Sequence, residues 1–219
     1  MGKTLLLLLL AAPGFGAERT LQVVTPAQGI QEVMVRLGVG DVVVTGCQCQ
    51  EVRASVAVRG KRWQVEKLKI AAHREGDKLT LALAPAEQPG RHPREDWTVA
   101  LPANLALQVK AGVGDVRVRH VVGEVRLDLG VGDVAVEGLR GPLVVATGVG
   151  DIEVSGNWEA VGSIKLATGV GDVQLLTPYR REKGRGFAAE SLQAQGPGPH
   201  PLKATARVGT IRVRLQPER

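Results

Sequence analysis

Residues 112–118 read GVGDVRV, and the motif returns at 130–136 (GVGDVAV), 148–154 (GVGDIEV) and 169–175 (GVGDVQL). It occurs once more far upstream, at 38–44 (GVGDVVV). Between the first and last of the clustered copies the chain keeps a nine-residue beat, with units opening at Gly114, Gly123, Gly132, Gly141, Gly150, Gly162 and Gly171. A three-residue insertion at 159–161 interrupts the beat once. Alternate units open Gly-Asp, so the full corner signature returns every eighteen residues.

Within each unit the third and fifth positions are apolar: Val116 and Val118, Val125 and Leu127, Val134 and Val136, and so on to Val173 and Leu175. The residue between them is mostly polar or small, as in Arg117, Arg126, Ala135, Glu153, Lys165 and Gln174. Period-two alternation with one dry face is the pattern of a short half-buried strand. Each nonamer therefore gives one strand and one glycine-marked corner, and two nonamers give one coil. A single coil cannot bury its inward Val and Leu, whereas stacked coils can. The expected fold is all-β, a β-solenoid of the β-helix or roll kind with 18-residue coils. An antiparallel sandwich or meander is the alternative for regular short strands, but the alternation of corner type favours the solenoid.

Outside the repeat, 18–104 reads as an irregular β region of the same fold. Strands are expected at 20–25, from Gln31 through the upstream GVGD to Val44, and at 51–58, 78–83 and 97–101. Trp63, Val65, Leu68 and Ile70 fit neither period, which leaves a short helix or a bulged crossover at 63–70. Residues 85–93 read as a polar loop. Residues 105–219 form the repeat proper, broken by a loop at 177–203 that carries the basic run YRREKGRG (179–186) and the proline-rich GPGPHP (196–201). A strand is allowed inside that loop at 187–194, but 196–201 is read as irregular. Residues 204–215 restate the repeat with Gly209-Thr210 in place of Gly-Asp and read as a final capping coil.

The chain has 219 residues, of which 44% are hydrophobic and 3% aromatic, so its core must be built from Val, Leu, Ile and Ala. Residues 1–17 read as a signal peptide: Lys3, an apolar run at 4–12, and small residues ahead of Ala17. That run is too short to span a bilayer, which takes roughly 20 residues, and nothing later is long and apolar enough. The expected protein is exported, to the periplasm, the cell surface or the medium, with no transmembrane segment after signal removal. Its formal net charge is +6. The positive charges are scattered and aromatics for base stacking are scarce, which argues against nucleic acid and leaves anionic envelope polymers as partners for a basic surface.

The chemistry-bearing residues are few. Gly40, Gly114, Gly132, Gly150 and Gly171 suit tight corners, and an aspartate after them, as at Asp41, can bond nearby backbone amides. In a solenoid Asp115, Asp133, Asp151 and Asp172 would stack about 4.8 Å apart, where like charges repel by about 1 kcal/mol per pair even in water. Either amide hydrogen bonds or a cation must offset that. Nonapeptide β-rolls bind calcium, but their aspartate sits two residues after glycine. Here it follows directly, and six to eight oxygens cannot be assembled, so turn aspartates are the preferred reading and no cofactor is expected. The four histidines show no ligand or triad spacing, and no serine lies in a nucleophile elbow; no catalytic residue is expected. Arg117, Arg119 and Arg126 are candidate surface contacts. Cys47 and Cys49, if on one strand, would point the same way roughly 6.5–7 Å apart, at the limit for a disulfide. Two thiols on one side of a strand is then the plainer reading, beside a redox pair or half of a metal site.

The segments MVRLGVGDVVVTG, VRGKRWQVEKLKIAAHREGDKLTLAL and LPANLALQVKAGVGDVRV with its repeats resemble the bacterial putative-adhesin family of β-strand repeats, related to the toast-rack envelope domains. The resemblance covers nearly the whole mature chain. It implies a β-solenoid on the envelope side of the membrane with no catalytic residues to carry over. On this reading the protein is a non-enzymatic envelope module for adhesion, interaction or sensing, with a protein or glycan partner. A calcium-stabilised secreted β-roll and a polysaccharide-active β-helix enzyme are the alternatives.

Overall fold

The computed structural model describes residues 17–84, 93–186 and 189–217, apart from the side chains of residues 63 and 64. The apolar run at 4–12 and most of the 85–93 segment lie outside the described residues.

The chain opens with β1 (Ala17–Pro26), β2 (Glu32–Val39), β3 (Val42–Cys47) and β4 (Glu51–Gly60), followed by one helical turn, α1 (Arg62–Val65). Next come β5 (Lys69–Glu75), β6 (Lys78–Ala84), β7 (Arg94–Pro102), β8 (Ala106–Val113) and β9 (Val116–Arg119). The repeat supplies β10 (Val125–Val131), β11 (Val134–Leu139), β12 (Leu143–Val149), β13 (Ile152–Asn157), β14 (Val161–Val170) and β15 (Val173–Leu176). Residues beyond it form β16 (Arg181–Lys183), β17 (Glu190–Gln195), β18 (His200–Val208) and β19 (Ile211–Gln216).

These strands pile into two stacks joined at the corners. In the first, β6, β2, β8, β10, β12, β18 and β14 follow one another in parallel. In the second, β7, β3, β9, β11, β13, β19 and β15 do the same. Across β8, β10 and β12 the register is constant at eighteen residues: Leu107 faces Val125, which faces Leu143. Both stacks end in antiparallel strands, β5 and β17 on the first, β4 with β1 and β16 on the second. The inward rows, such as Val33, Leu107, Val125, Leu143, Leu202 and Ile164, are buried. Removing each such side chain from water contributes about 1.5–3 kcal/mol, and that stacked burial holds the coils together.

The stacking order differs from the chain order in two places. β18 lies between β12 and β14, and β19 between β13 and β15. Residues 204–215 are therefore not a capping coil but an interior one, threaded in after the neighbours on both sides have been laid down. Likewise β2 and β3 sit between the β6–β7 and β8–β9 layers. Sequence alternation fixes which face of a strand is dry; it carries no information about which layer lies next to it.

Three local expectations change. The proline-rich 196–201 stretch is not wholly irregular, because β18 already begins at His200. The 177–203 loop also contains β16 and β17. Cys47 and Cys49 form a disulfide, with a Cα–Cα distance of 5.3 Å. β3 ends at Cys47 and the chain bends at Gln48, so the pair is closer than an extended strand allows. The 63–70 ambiguity resolves as the single helical turn α1 and a return to strand at Lys69. The three-residue insertion is a 3-10 turn, Trp158–Ala160, capped by the Asn157 side chain, which accepts from the Glu159 amide at 2.8 Å.

The Gly-Asp corners demand glycine for two separate reasons. Gly114, Gly132, Gly150, Gly209 and Gly171 have φ between 135 and 145°, a region that only glycine tolerates well. A methyl group on Gly132 would also overlap the carbonyl oxygen of Gly114 in the next layer, and one on Gly150 that of Gly132. Gly76 is a mild reference, since its φ of 61° lies in the left-handed region that other residues reach at modest cost and the space around it is open. Gly76→Ala should cost about 1 kcal/mol and Gly132→Ala about 3 kcal/mol or more in urea unfolding. Equal costs would show that the corner column is not closely packed.

Candidate functional site

The strand alternation places Asp41, Asp115, Asp133 and Asp151 just past their corners, with their side chains alongside the neighbouring layer. The Asp115 amide donates to Asp41 Oδ1 at 3.0 Å, the Asp133 amide to Asp115 Oδ1 at 3.0 Å, and the Asp151 amide to Asp133 Oδ1 at 2.8 Å. The row continues at both ends: the Thr210 amide donates to Asp151 Oδ1 at 2.7 Å, and the Asp41 amide to Asp96 Oδ1 at 3.2 Å. Main-chain bonds run the opposite way through the same corner, with the Val116 amide donating to the Asp133 carbonyl and the Val134 amide to that of Asp151, both at 2.9 Å. Each aspartate thus supplies the acceptor for the amide of the next corner residue.

A charged acceptor in such a bond contributes about 1.5–3 kcal/mol, which exceeds the ~1 kcal/mol repulsion between neighbours. Charge at the ends is offset as well. Arg94 pairs with Asp41 and with Asp96, the latter at 3.0 Å, and Arg59 reaches Asp96 at 3.0 Å. Arg59 is held further toward its charged form by Glu18 first and Asp96 second. Arg212 lies 3.7 Å from Asp151 at the other end.

The expected row of Asp115, Asp133, Asp151 and Asp172 is broken. Thr210, on the interior coil, stands between Asp151 and Asp172. The row gains Asp41 and Asp96 instead. Asp96 escaped the sequence reading because its corner is written Glu95-Asp96 without glycine. Glu95 is buried, and its carboxylate accepts from the Gly38 amide at 3.1 Å and the Trp97 indole at 2.9 Å. An acid at an inward position beside tryptophan was the signal available. Among the described residues no group of three or more His, Cys, Asp or Glu side chains is arranged to hold a metal ion.

The arginine candidates do not converge. Arg117 and Arg119 lie on β9 in one stack, Arg126 on β10 in the other. Arg119 pairs with Glu137 at 3.2 Å and Arg126 with Glu124 at 2.8 Å. Arg117 is exposed with no ion pair among the described residues.

Sequence reasoning also missed an apolar ridge. The valines of the four clustered GVGD corners and Val208 of the Gly209-Thr210 corner point outward: Val113, Val131, Val149, Val208 and Val170 follow in register and are 45 to 57% exposed, whereas Val39 of the upstream GVGD is half-buried. Five valines at about 4.8 Å spacing form a row of roughly 19 Å. The constancy of that valine in the motif was the available signal, since an outward corner position has no packing reason to be apolar.

Residues 18–176 match the family described as the N-terminal domain of toast_rack, DUF2154. The chain belongs to this family. The toast-rack domain described here is also similar to a crystal structure of a putative cell adhesion protein from Clostridium sporogenes, at 14% identity and TM-score 0.61, covering 92% of this chain and 100% of that one. That likeness shows the fold. A putative adhesin from Bacteroides fragilis matches more loosely, at 13% identity and TM-score 0.37, over 89% of this chain and 97% of that one. No curated protein matches the chain in sequence. No described helix of the toast-rack domain is long and apolar enough to cross a membrane.

Replacing one rung separates charge from hydrogen bonding. Asp133→Ala deprives the Asp151 amide of its acceptor and should cost about 1–2 kcal/mol. Asp133→Asn keeps an oxygen there and sheds repulsion, so it should fall within about 0.5 kcal/mol of the parent. Urea unfolding of the two variants decides; equal losses would mean that the carboxylate's charge, not its acceptor, matters.

Proposed function

We propose that this domain is a non-enzymatic, exported cell-envelope module that binds a protein or glycan through the outside of its stack. The observation that carries this is the valine ridge: contiguous exposed apolar surface on a folded domain marks interaction sites. On this reading the molecule is a β-solenoid with 18-residue coils whose repeat serves presentation. The glycines and aspartates of the GVGD motifs hold the corners, and the valines at 113, 131, 149 and 170, with Val208, face the partner. The signal-like N-terminus and the adhesion names of the structural relatives support an envelope location and a binding role. The commitment of Asp41, Asp115, Asp133 and Asp151 to backbone amides favours this reading over a calcium β-roll, and the separation of Arg117 and Arg119 from Arg126 favours it over a catalytic face.

The test is retention on isolated envelopes of the source bacterium. Val131→Glu with Val149→Glu should reduce retention at least about tenfold, the worth of roughly 1.4 kcal/mol of lost contact. Both positions are exposed, so the variants should unfold within about 0.5 kcal/mol per site of the parent. Arg117→Glu reports any contribution from charge beside the ridge. Unchanged retention in the valine variants would overturn the ridge as the contact surface.

A further inference from the structure

The second stack carries an unbalanced basic patch at the end away from Arg94. On its outer surface Arg214 of β19 aligns with Leu176 of β15, which aligns with Arg181 of β16. In the adjacent row Arg212 aligns with Gln174, which aligns with Lys183. Arg212 is taken up by Glu153 at 3.5 Å and by Asp151. Arg181, Lys183 and Arg214 are exposed and have no ion pair among the described residues. Farther along the stack, Arg119 meets Glu137. Arg214 itself faces Ser155 on one side and Leu176 on the other, and the two acids beside it, Glu137 and Glu153, are already taken up by Arg119 and Arg212. A shallow cleft of about 250 Å³ lies over these strands, lined by Arg181, Arg212 and Arg214, by the paired Glu137 and Glu153, and by Leu176 among others.

Arg181 and Arg214 are two strands apart, about 9.6 Å by the spacing of a sheet. Two like charges at that distance repel by about 0.4 kcal/mol in water, a cost that a bound anion removes. Guanidinium groups match carboxylates with two parallel hydrogen bonds, and the sheet fixes the spacing of the backbone positions that carry them. We propose that this patch binds a linear acidic polysaccharide, with successive carboxylates seated on Arg214 and Arg181 and the sugar between them over Leu176. A lipid surface fits less well, because the large exposed apolar side chains (Val113, Val131, Val149, Val170, Val208 and Tyr179 among them) do not line the cleft. Single-stranded nucleic acid fits less well because no aromatic ring lines it for base stacking.

The experiment measures binding of fluorescent polygalacturonate to the whole chain by anisotropy, with neutral dextran, phosphatidylserine vesicles and single-stranded DNA as comparison probes. The site predicts saturable binding of polygalacturonate, weakened several-fold between about 50 and 200 mM salt, and none of dextran. Arg181→Glu with Arg214→Glu should lower affinity tenfold or more while leaving the melting temperature and the ridge-dependent envelope retention unchanged. Arg181→Lys with Arg214→Lys should lose part of the affinity, because the charge stays and the fork goes. Equal binding of the vesicles or DNA, or full affinity in the double glutamate variant, overturns the proposal. Those outcomes leave the ridge reading standing, since that reading fails only if the valine variants are retained normally.

Discussion

The hydrogen bond from each corner amide to the aspartate of the preceding layer is the constraint on which the rest of the molecule depends. A parallel stack repeats its backbone bonds freely along straight strands, but a corner turns amides away from the neighbouring carbonyls. An unpaired amide in each layer would accumulate a cost with every coil. The aspartate corrects this with one side chain per coil, and glycine makes it feasible by letting backbones approach until no Cβ fits between them. Negative charge is the consequence, and arginines at the two ends of the row offset part of it.

The same constraint explains which coils can exchange places. The interior β18–β19 coil carries Gly209-Thr210, keeping the glycine but not the acid. Its glycine fits the column between Gly150 and Gly171, and its Thr210 amide satisfies Asp151. The first layer does the reverse, keeping an aspartate at Asp96 while Glu95 replaces the glycine and buries its carboxylate against Trp97. Glycine is dispensable where an antiparallel neighbour changes the packing, and aspartate where the row may end.

The strands of the repeat, their inward residues and the corner positions were legible from the sequence because each follows from a local period. Layer order was not. Nothing in residues 204–215 distinguishes an interior coil from a terminal one, since both need the same dry face; only the matching partners on two sides, Leu143 and Ile164 against Leu202, reveal it. The disulfide was hidden by the strand reading of Cys47 and Cys49, whose separation depends on a bend at one residue. Of the surface, the charged rows were visible as residue types, but pairing across layers decides which charges are free. Arg119 and Arg126 looked available and are paired; Arg181 and Arg214 lie 33 positions apart in the chain and come within two strands of each other through the inserted coil.

The stability of the corners rests on amides, not a cation, occupying the aspartate row. A thermal melt of the chain in calcium and then in chelator tests that directly. The row described here predicts a shift below about 1 °C, because its Oδ1 atoms are already bonded and few oxygens remain to converge on a metal. A calcium ladder bound a hundredfold more tightly than the calcium concentration would add about 2.7 kcal/mol, a rise of roughly 5–10 °C for a chain of this size, and a rise of that order would contradict it.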